Sequence, residues 1–547
     1  MQDIFYFIFF IIILEKYSSN AIINLNKYKG AFLMKKFMSI MMSVIMLISV
    51  MSVMAFANEE VTPVIFVDGI GSSDTVNTET GETVFPPATD AIVSGVSEAV
   101  LPLMKSLVSG DYEAVSEPLC NALVTIFDGM ACDENGNPVY PTTSAYTIPD
   151  AETILSGKMA IDTPNLGFDA AEITYFSYDW RMDMQTVASQ LNDLVKLVKE
   201  ATGADKVNLV GFSMGSCVVT TYLHDYGYAD VEDVVILSGA FNGVSTCGEP
   251  FSGQIAFNSA GMITFLKTML GDDFSATLLS TLIDILNQSG MIDGVLEFTE
   301  ELNYAILDDV FELGLKTTFA RMAGIWSVVP YNMYDAAKEL LIGDNVTDEF
   351  VAKIDYYHNE VQANNEEILN GVIENGGNLA IISKYGSTIP PVCVSQLNIG
   401  DMVIDTVYTS FGATCADANT TLGENYVQAV DCGHNHISPD NMIDASTAAF
   451  PEYTWFVKDL MHADHTPAQW ELIRFIFASE EQPTVSDNAT YPQFLISISE
   501  DEIVPLTAEN DTGKYGQSTE KVSLYDMIVN TIKKIFDYIK NLFADLF

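Results

Sequence analysis

Arginine is almost missing from this chain. Among 547 residues it stands only at Arg181, Arg321 and Arg474. Lys and Arg together number 24 against 74 Asp and Glu, a formal net charge of −50. Such a surface cannot displace counterions from a phosphate backbone, which excludes nucleic acid as a partner. It is also repelled by anionic lipid unless cations screen it. Histidine is scarce too, with six in all: His224, His358, His434, His436, His462 and His465. Any chemistry that needs an imidazole must draw on these. The cysteines are 120, 132, 217, 247, 393, 415 and 432, an odd count with no C-x-x-C pair. That argues against a disulfide framework and for buried free thiols, although Cys120 and Cys132 are near enough in sequence to staple a loop. No internal repeat is evident. What is abundant is apolar material, 48% of residues with 11% aromatic, enough for a large packed core.

The amino terminus reads as an export signal. Met34-Lys35-Lys36 precedes an apolar run over Phe37–Met54, and Ala55-Phe56-Ala57 follows as an A-x-A cleavage site. Residues 34–57 are therefore expected to be a signal peptide, with 1–33 an upstream extension and translation starting at Met34. Their removal takes away five Lys and two acids, leaving 24 − 5 = 19 basic against 74 − 2 = 72 acidic residues, a net of −53. The expected location is secreted or cell-surface.

Along the remaining chain, apolar runs of strand type alternate with helical periodicity. "TPVIFVDGIGSSD" (62–74) is a short buried run ending in a glycine-rich turn, and 90–130 reads as helical. "AAEITYFSYDWR" (170–181) is β-rich, 184–203 is an amphipathic helix closed by Gly203, and "KVNLVGFSMG" is a strand entering a sharp turn. A helix over 215–227 and a strand over 231–243 follow. The alternation predicts an α/β fold with a mostly parallel sheet flanked by helices. Residues 245–375 are helical throughout and read as a cap inserted between sheet strands. The sheet pattern resumes at 378–387 and at "NYVQAVDCG" (425–433), so the core is expected over 58–244 and 376–482. Residues 483–523 read as a polar tail with one strand-like piece, "PQFLISIS". Residues 524–547 form an amphipathic stripe suited to a membrane surface, a partner, or the chain's own domain.

The chemistry centres on Gly211-Phe212-Ser213-Met214-Gly215. A serine hydroxyl needs a base to become a nucleophile, and a strained strand-to-helix turn exposes it. The strand before and the helix after supply that context. A base and an acid must follow in the order Ser, Asp, His. "VDCGHNHISPD" (430–440) lies after the expected strand at 425–432 and offers His436, the preferred base, with His434 as the alternative. Asp401, after Gly400, is the preferred acid, with Asp405 as the alternative. "SEDEIVP" (499–505) is set aside because no histidine follows residue 465. The amides of Met214 and of Ile70, after Gly69, are placed to bind an oxyanion. Asp179, Trp180 and Arg181 are expected to brace the fold. A zinc site made from His434-x-His436 and His462-x-x-His465 lacks a completing cysteine or acid, so no metal or cofactor is expected.

"PVIFVDGIGSS", "YFSYDWR", "VNLVGFSMGS" and "NIGDMVID" together resemble the lecithin:cholesterol acyltransferase-like lipases, α/β-hydrolases that act on lipid esters. The resemblance covers roughly 62–245 and 376–445, with a helical cap between. It implies an α/β-hydrolase fold and a triad of Ser213, Asp401 and a histidine, with Ile70 as oxyanion donor. Asp68 stands where that family has proline. The expected function is a secreted serine hydrolase or O-acyltransferase of lipid or other carboxylic esters. The alternative is a non-catalytic surface or adhesion protein on a hydrolase scaffold.

Overall fold

The computed structural model describes residues 62–87, 116–144, 173–256 and 308–511, with positions 102, 114 and 261 added and 72 and 419 omitted. The expected signal peptide, most of the expected helix before residue 116, the middle of the cap and the stripe at 524–547 lie outside the described residues.

Eight strands make one sheet. They are β1 (Val64–Val67), β2 (Ile173–Phe176), β3 (Val207–Phe212), β4 (Val231–Leu237), β5 (Leu379–Tyr385), β6 (Thr454–Lys458), β7 (Phe494–Ser499) and β8 (Glu502–Pro505). Their order across the sheet is β8-β7-β6-β5-β4-β3-β1-β2. Every pairing is parallel except the β7–β8 hairpin. Parallel strands need crossovers, and helices provide them. The helices described most fully are α1 (Ser116–Phe127), α2 (Met184–Thr202), α3 (Gly215–Tyr226), α4 (Tyr331–Leu341), α5 (Asp348–Tyr356), α6 (Asn365–Glu374) and α7 (Pro467–Phe477).

The two-residue period of the strands divides the core between two layers. Ile65 and Val67, Val234 and Ile236, and Leu379 and Ile381 pack against α2 and α3. Their alternates Phe66, Val235, Leu237 and Ile382 pack against Trp470, Leu472, Ile473 and Ile476 of α7. Helix α2 shows how local sequence sets an element. The Asp183 side chain accepts from the Thr186 amide at its start, and Gly203, at φ 78°, ends it in the left-handed conformation. Between them Val187, Leu191, Leu194, Val195 and Val198 recur at helical spacing and are buried.

The described part of residues 245–375 has its own apolar cluster, with Phe251, Trp326, Tyr334, Phe350 and Ile354 at its centre. Helix α6 is different: its Ile368, Leu369 and Val372 join the sheet core beside α2 and α3.

Three segments depart from the sequence reading. No strand forms at 425–433; this is an irregular loop in which Val427 is 80% exposed. The strand that borders β5 is instead β6, whose five residues are all buried. It ends in Lys458, buried because it pairs with Asp440 at 2.9 Å and Asp511 at 2.7 Å. The segment read as a polar tail contributes β7 and β8, which form one edge of the main sheet.

Candidate active site

Strand β3 delivers the chain to Ser213 at the carboxyl edge of the sheet. Ser213 is held at φ 53°, a left-handed conformation that a serine adopts only under constraint. The constraint is a set of backbone bonds. The Ser213 amide donates to the Leu237 carbonyl at 3.1 Å, and the Ser213 carbonyl accepts from the amides of Ser216 at 3.1 Å and Ala240 at 3.0 Å. The flanking glycines are required by space. A Cβ on Gly215 would lie 2.1 Å from the Val67 carbonyl oxygen, and one on Gly211 would lie 2.9 Å from Cα of Ser216. Helix α3 therefore starts directly over the end of β1.

The imidazole at Ser213 belongs to His462. Its Nε2 lies 2.9 Å from Ser213 Oγ, and its Nδ1 lies 2.7 Å from Asp401 Oδ2. An ionised carboxylate can only accept, so Nδ1–H donates to Asp401 and Nε2 is free to accept from the serine hydroxyl. The His462 amide also donates to the Asp401 carbonyl at 2.8 Å, which ties the two loops together.

Asp401 is fully buried on a tight turn after the two-residue strand Ile399–Gly400. Its Oδ1 accepts from the amides of Val403 at 3.1 Å and Ile404 at 2.8 Å. Burial alone would raise its pKa. The charge and hydrogen bond of His462, the Ile404 amide and the Lys384 ammonium outweigh that, and hold the carboxyl below its usual value. Asp401 is thus ionised at neutral pH.

His436, the base preferred from sequence, does not reach Ser213. It is buried at the other end of the sheet, with Nδ1 2.7 Å from Gln493 Oε1 and Nε2 3.2 Å from Glu452 Oε1. His434 is exposed, with Nδ1 2.7 Å from the same Glu452 oxygen. The reason is that no strand exists at 425–433 to carry them to the carboxyl edge. Glu452 precedes β6, whereas His462 follows it. The available signal was "TWFVKDLMH", a compact apolar run with a histidine four residues beyond its end.

Asp405, the alternative acid, is buried and accepts from the Ser245 amide at 3.1 Å and Asn398 Nδ2 at 3.0 Å. Burial pushes its pKa up to about 6. It anchors the segment that starts at Ser245, not the imidazole. Among the other histidines, His358 is buried between Gln362 and the Trp326 carbonyl, and burial lowers its pKa to about 4. His224 is exposed beside Asp225. His465 packs edge-on to Phe212 at 4.6 Å.

The loop after β1 runs against the serine. A Cβ on Gly69 would lie 2.6 Å from Cβ of Ser213. The Gly69 amide is already engaged by Asp68 Oδ1 at 2.8 Å, and the Asp68 carbonyl accepts from the Tyr178 hydroxyl at 3.0 Å.

A strand-to-helix elbow over a mostly parallel sheet, with an acid and a histidine beyond later strands, defines a known architecture. A family model described as alpha/beta hydrolase fold matches residues 159–277, the stretch holding β2, α2, the elbow, α3 and β4. The fold is that of the α/β hydrolases. No curated protein matches this chain. A chain from "The crystal structure of Tle4-Tli4 complex" is similar at 14% identity over 35% of this chain and 48% of its own, with a TM-score of 0.17. This chain thus spans about half the length of that solved chain.

In this fold the His462 loop rests on a residue the sequence reading missed. Lys384, on β5, is fully buried, and its ammonium donates to the carbonyls of His462 at 2.8 Å and Asp464 at 2.7 Å. Burial lowers its pKa to about 8, with Asp464 and Asp401 acting in the opposite sense. The ammonium holds the backbone of the imidazole's own residue, so Lys384 acts as a positioning group. Lys384→Met is expected to lower kcat toward a simple ester about 10- to 100-fold with KM nearly unchanged, read by steady-state kinetics. A matching rise in KM with full kcat would contradict that role.

Asp179 and Arg181, just after β2, pair with each other. Arg181 is fully buried and meets Asp179 with two nitrogens, Nε at 2.9 Å and Nη2 at 2.6 Å. Its Nη1 donates to the Met130 carbonyl at 3.0 Å, and Nη2 also contacts Thr142. Trp180 packs on Phe85 with ring centroids 5.0 Å apart.

Proposed function

We propose that this chain is a serine hydrolase of lipid or other carboxylic esters that works through an acyl-enzyme. The α/β-hydrolase fold supports hydrolase activity in general. The narrower reading is carried by one observation, the continuous chain Ser213 Oγ, His462 Nε2, His462 Nδ1, Asp401 Oδ2. That order of groups is what nucleophilic catalysis by serine requires.

In the proposed reaction Ser213 Oγ attacks the ester carbonyl carbon while His462 Nε2 takes its proton. Asp401 stabilises the imidazolium that results. The amides of Met214 and Ile70 receive the developing oxyanion. In support of Ile70, the loop passes against Ser213 and the Gly69 amide is already bound to Asp68. His462 then returns the proton to the leaving alkoxide, and the Ser213 ester remains. Water, deprotonated by His462, releases the acid; an alcohol in its place would make the reaction an acyl transfer. The lipid-ester preference rests on the motif resemblance to acyltransferase-like lipases. Export through residues 34–57 and membrane-surface contact through 524–547 belong to the same proposal.

A fluorophosphonate probe is expected to label the wild-type protein and not Ser213→Ala, read by gel fluorescence and intact mass. Ester panels of graded acyl length, with and without an alcohol acceptor, then resolve the substrate. Equal labelling of Ser213→Ala, or no labelling together with no ester turnover, would sink the proposal.

A further inference from the structure

The histidines that do not serve Ser213 lie in a second cluster. Cys432 Sγ, a ring nitrogen of His436 and a carboxylate oxygen of Glu452 all lie within 4.8 Å of one another. His434 adds Nδ1, 2.7 Å from Glu452 Oε1. Three potential metal ligands of S, N and O type therefore converge, with the His434 ring beside the same carboxylate as a fourth candidate, supplied by a C-x-H-x-H run and a glutamate sixteen residues beyond the second histidine.

The hydrogen bonds behind the cluster fix its chemistry. Gln493 Nε2 donates to the carbonyls of Pro451 at 2.7 Å and Thr454 at 3.2 Å. Carbonyls only accept, so the amide nitrogen must face them and Oε1 must face His436 Nδ1. His436 therefore carries its proton on Nδ1, which donates to Gln493 at 2.7 Å. That leaves Nε2 as the ring nitrogen facing Glu452 Oε1, at 3.2 Å. A cation held there would take one lone pair from Nε2 and one from the carboxylate. This is the arrangement by which a backing acceptor orients a metal-bound histidine. Glu452 Oε2 is buried without a hydrogen-bond partner among the described residues. Gln428 organises the loop itself: its Nε2 donates to the carbonyls of Val430 at 2.7 Å and His434 at 3.0 Å, and its Oε1 accepts from the His436 amide at 2.7 Å.

We propose that Cys432, His434, His436 and Glu452 bind a divalent zinc-type cation that pins the 425–436 loop to the start of β6. One thiolate, two imidazoles and one carboxylate match the preferences of zinc over those of magnesium or calcium, which favour oxygen alone. Four protein ligands make a closed, structural site. It lies at the opposite end of β6 from His462, about 17 Å away by the length of a five-residue strand. The site therefore acts on stability and not on the ester chemistry, and its test does not depend on the proposed function.

The full chain, stripped with chelator and dialysed, is titrated with zinc sulfate and separately with cobalt chloride. One zinc per chain is expected by elemental analysis after desalting. Zinc should raise the thermal midpoint by about 5 °C at a hundredfold excess over its dissociation constant. Cobalt should give visible bands of tetrahedral type and a thiolate charge-transfer band. Cys432→Ser should lose the charge-transfer band, and Glu452→Gln should lose most of the zinc-induced rise. Overturning results are any of three: no retained zinc, a thermal shift equally produced by magnesium, or zinc and cobalt responses unchanged in both variants. The cobalt spectrum of the wild-type protein keeps the proposal testable even if a variant folds poorly.

Discussion

His462→Ala is expected to lower kcat/KM toward a soluble aryl ester by about 10⁴-fold or more. His462 is the histidine within reach of Ser213 Oγ, at 2.9 Å, and it is also the group that Asp401 orients. Its removal leaves the serine hydroxyl without a proton acceptor and Asp401 as a buried, unpaired charge. His436→Ala and His434→Ala are expected to stay within about threefold of wild type when assayed below their melting temperatures, because both side chains bond Glu452 and neither contacts the serine. Stopped-assay kinetics on the three variants decide the matter. An active His462→Ala beside a dead His436→Ala would return the base to the position favoured by sequence. Folding is checked separately by near-ultraviolet circular dichroism, since the Asp401 carboxylate loses its partner.

Arg181→Met should be the most damaging single change to stability outside the sheet core. It leaves Asp179 without the bidentate partner that neutralises it, and leaves the Met130 carbonyl with only the long contact from Cys132 Sγ at 3.9 Å. Breaking a buried pair from one side costs about 3–5 kcal/mol. Burial works against the arginine's charge, and Asp179 more than restores it, so its pKa stands above the ordinary value. The double variant Arg181→Met/Asp179→Asn is expected to recover part of the loss, because the uncompensated charge is gone. Urea unfolding followed by fluorescence measures both. Similar midpoints for Arg181→Met and wild type would show that the pair braces nothing.

These two expectations fall on residues of unequal visibility. Arg181 stands out in sequence as one of three arginines, at the end of an aromatic run, and its bracing role could be suspected there. Its partners Met130 and Thr142 could not, since they lie 51 and 39 residues upstream. Lys384 was invisible in the same way. A lysine inside "NLAIISKYGS" looks like the exposed end of a strand until two carbonyls from another loop are seen to receive it.

Strand β6 was obscured by its closing Lys458, whose burial rests on Asp440 and Asp511, eighteen and fifty-three residues away. The run at 425–433 misled in the opposite direction. It has alternating apolar residues, but no neighbouring strand is free to pair with it, because β5 is already flanked by β4 and β6. Helix α2 and strands β3 and β4 were legible because their caps, glycine stops and apolar periods are written within a few consecutive residues.

The elbow that exposes Ser213, the proposed nucleophile, was determined by sequence alone, since the strand, the two glycines and the helix are contiguous. The physical cause is local backbone crowding, which five residues suffice to specify. The histidine that reaches Ser213, the proposed base, was decided only by tertiary structure. Ser213 and His462 are 249 positions apart, and what brings them together is the order of parallel strands and the loop held by Lys384. A pairing of that range depends on which strand ends face the same edge of the sheet. The one local hint, the apolar run "TWFVKDLMH", points to His462 only once β6 has its place beside β5.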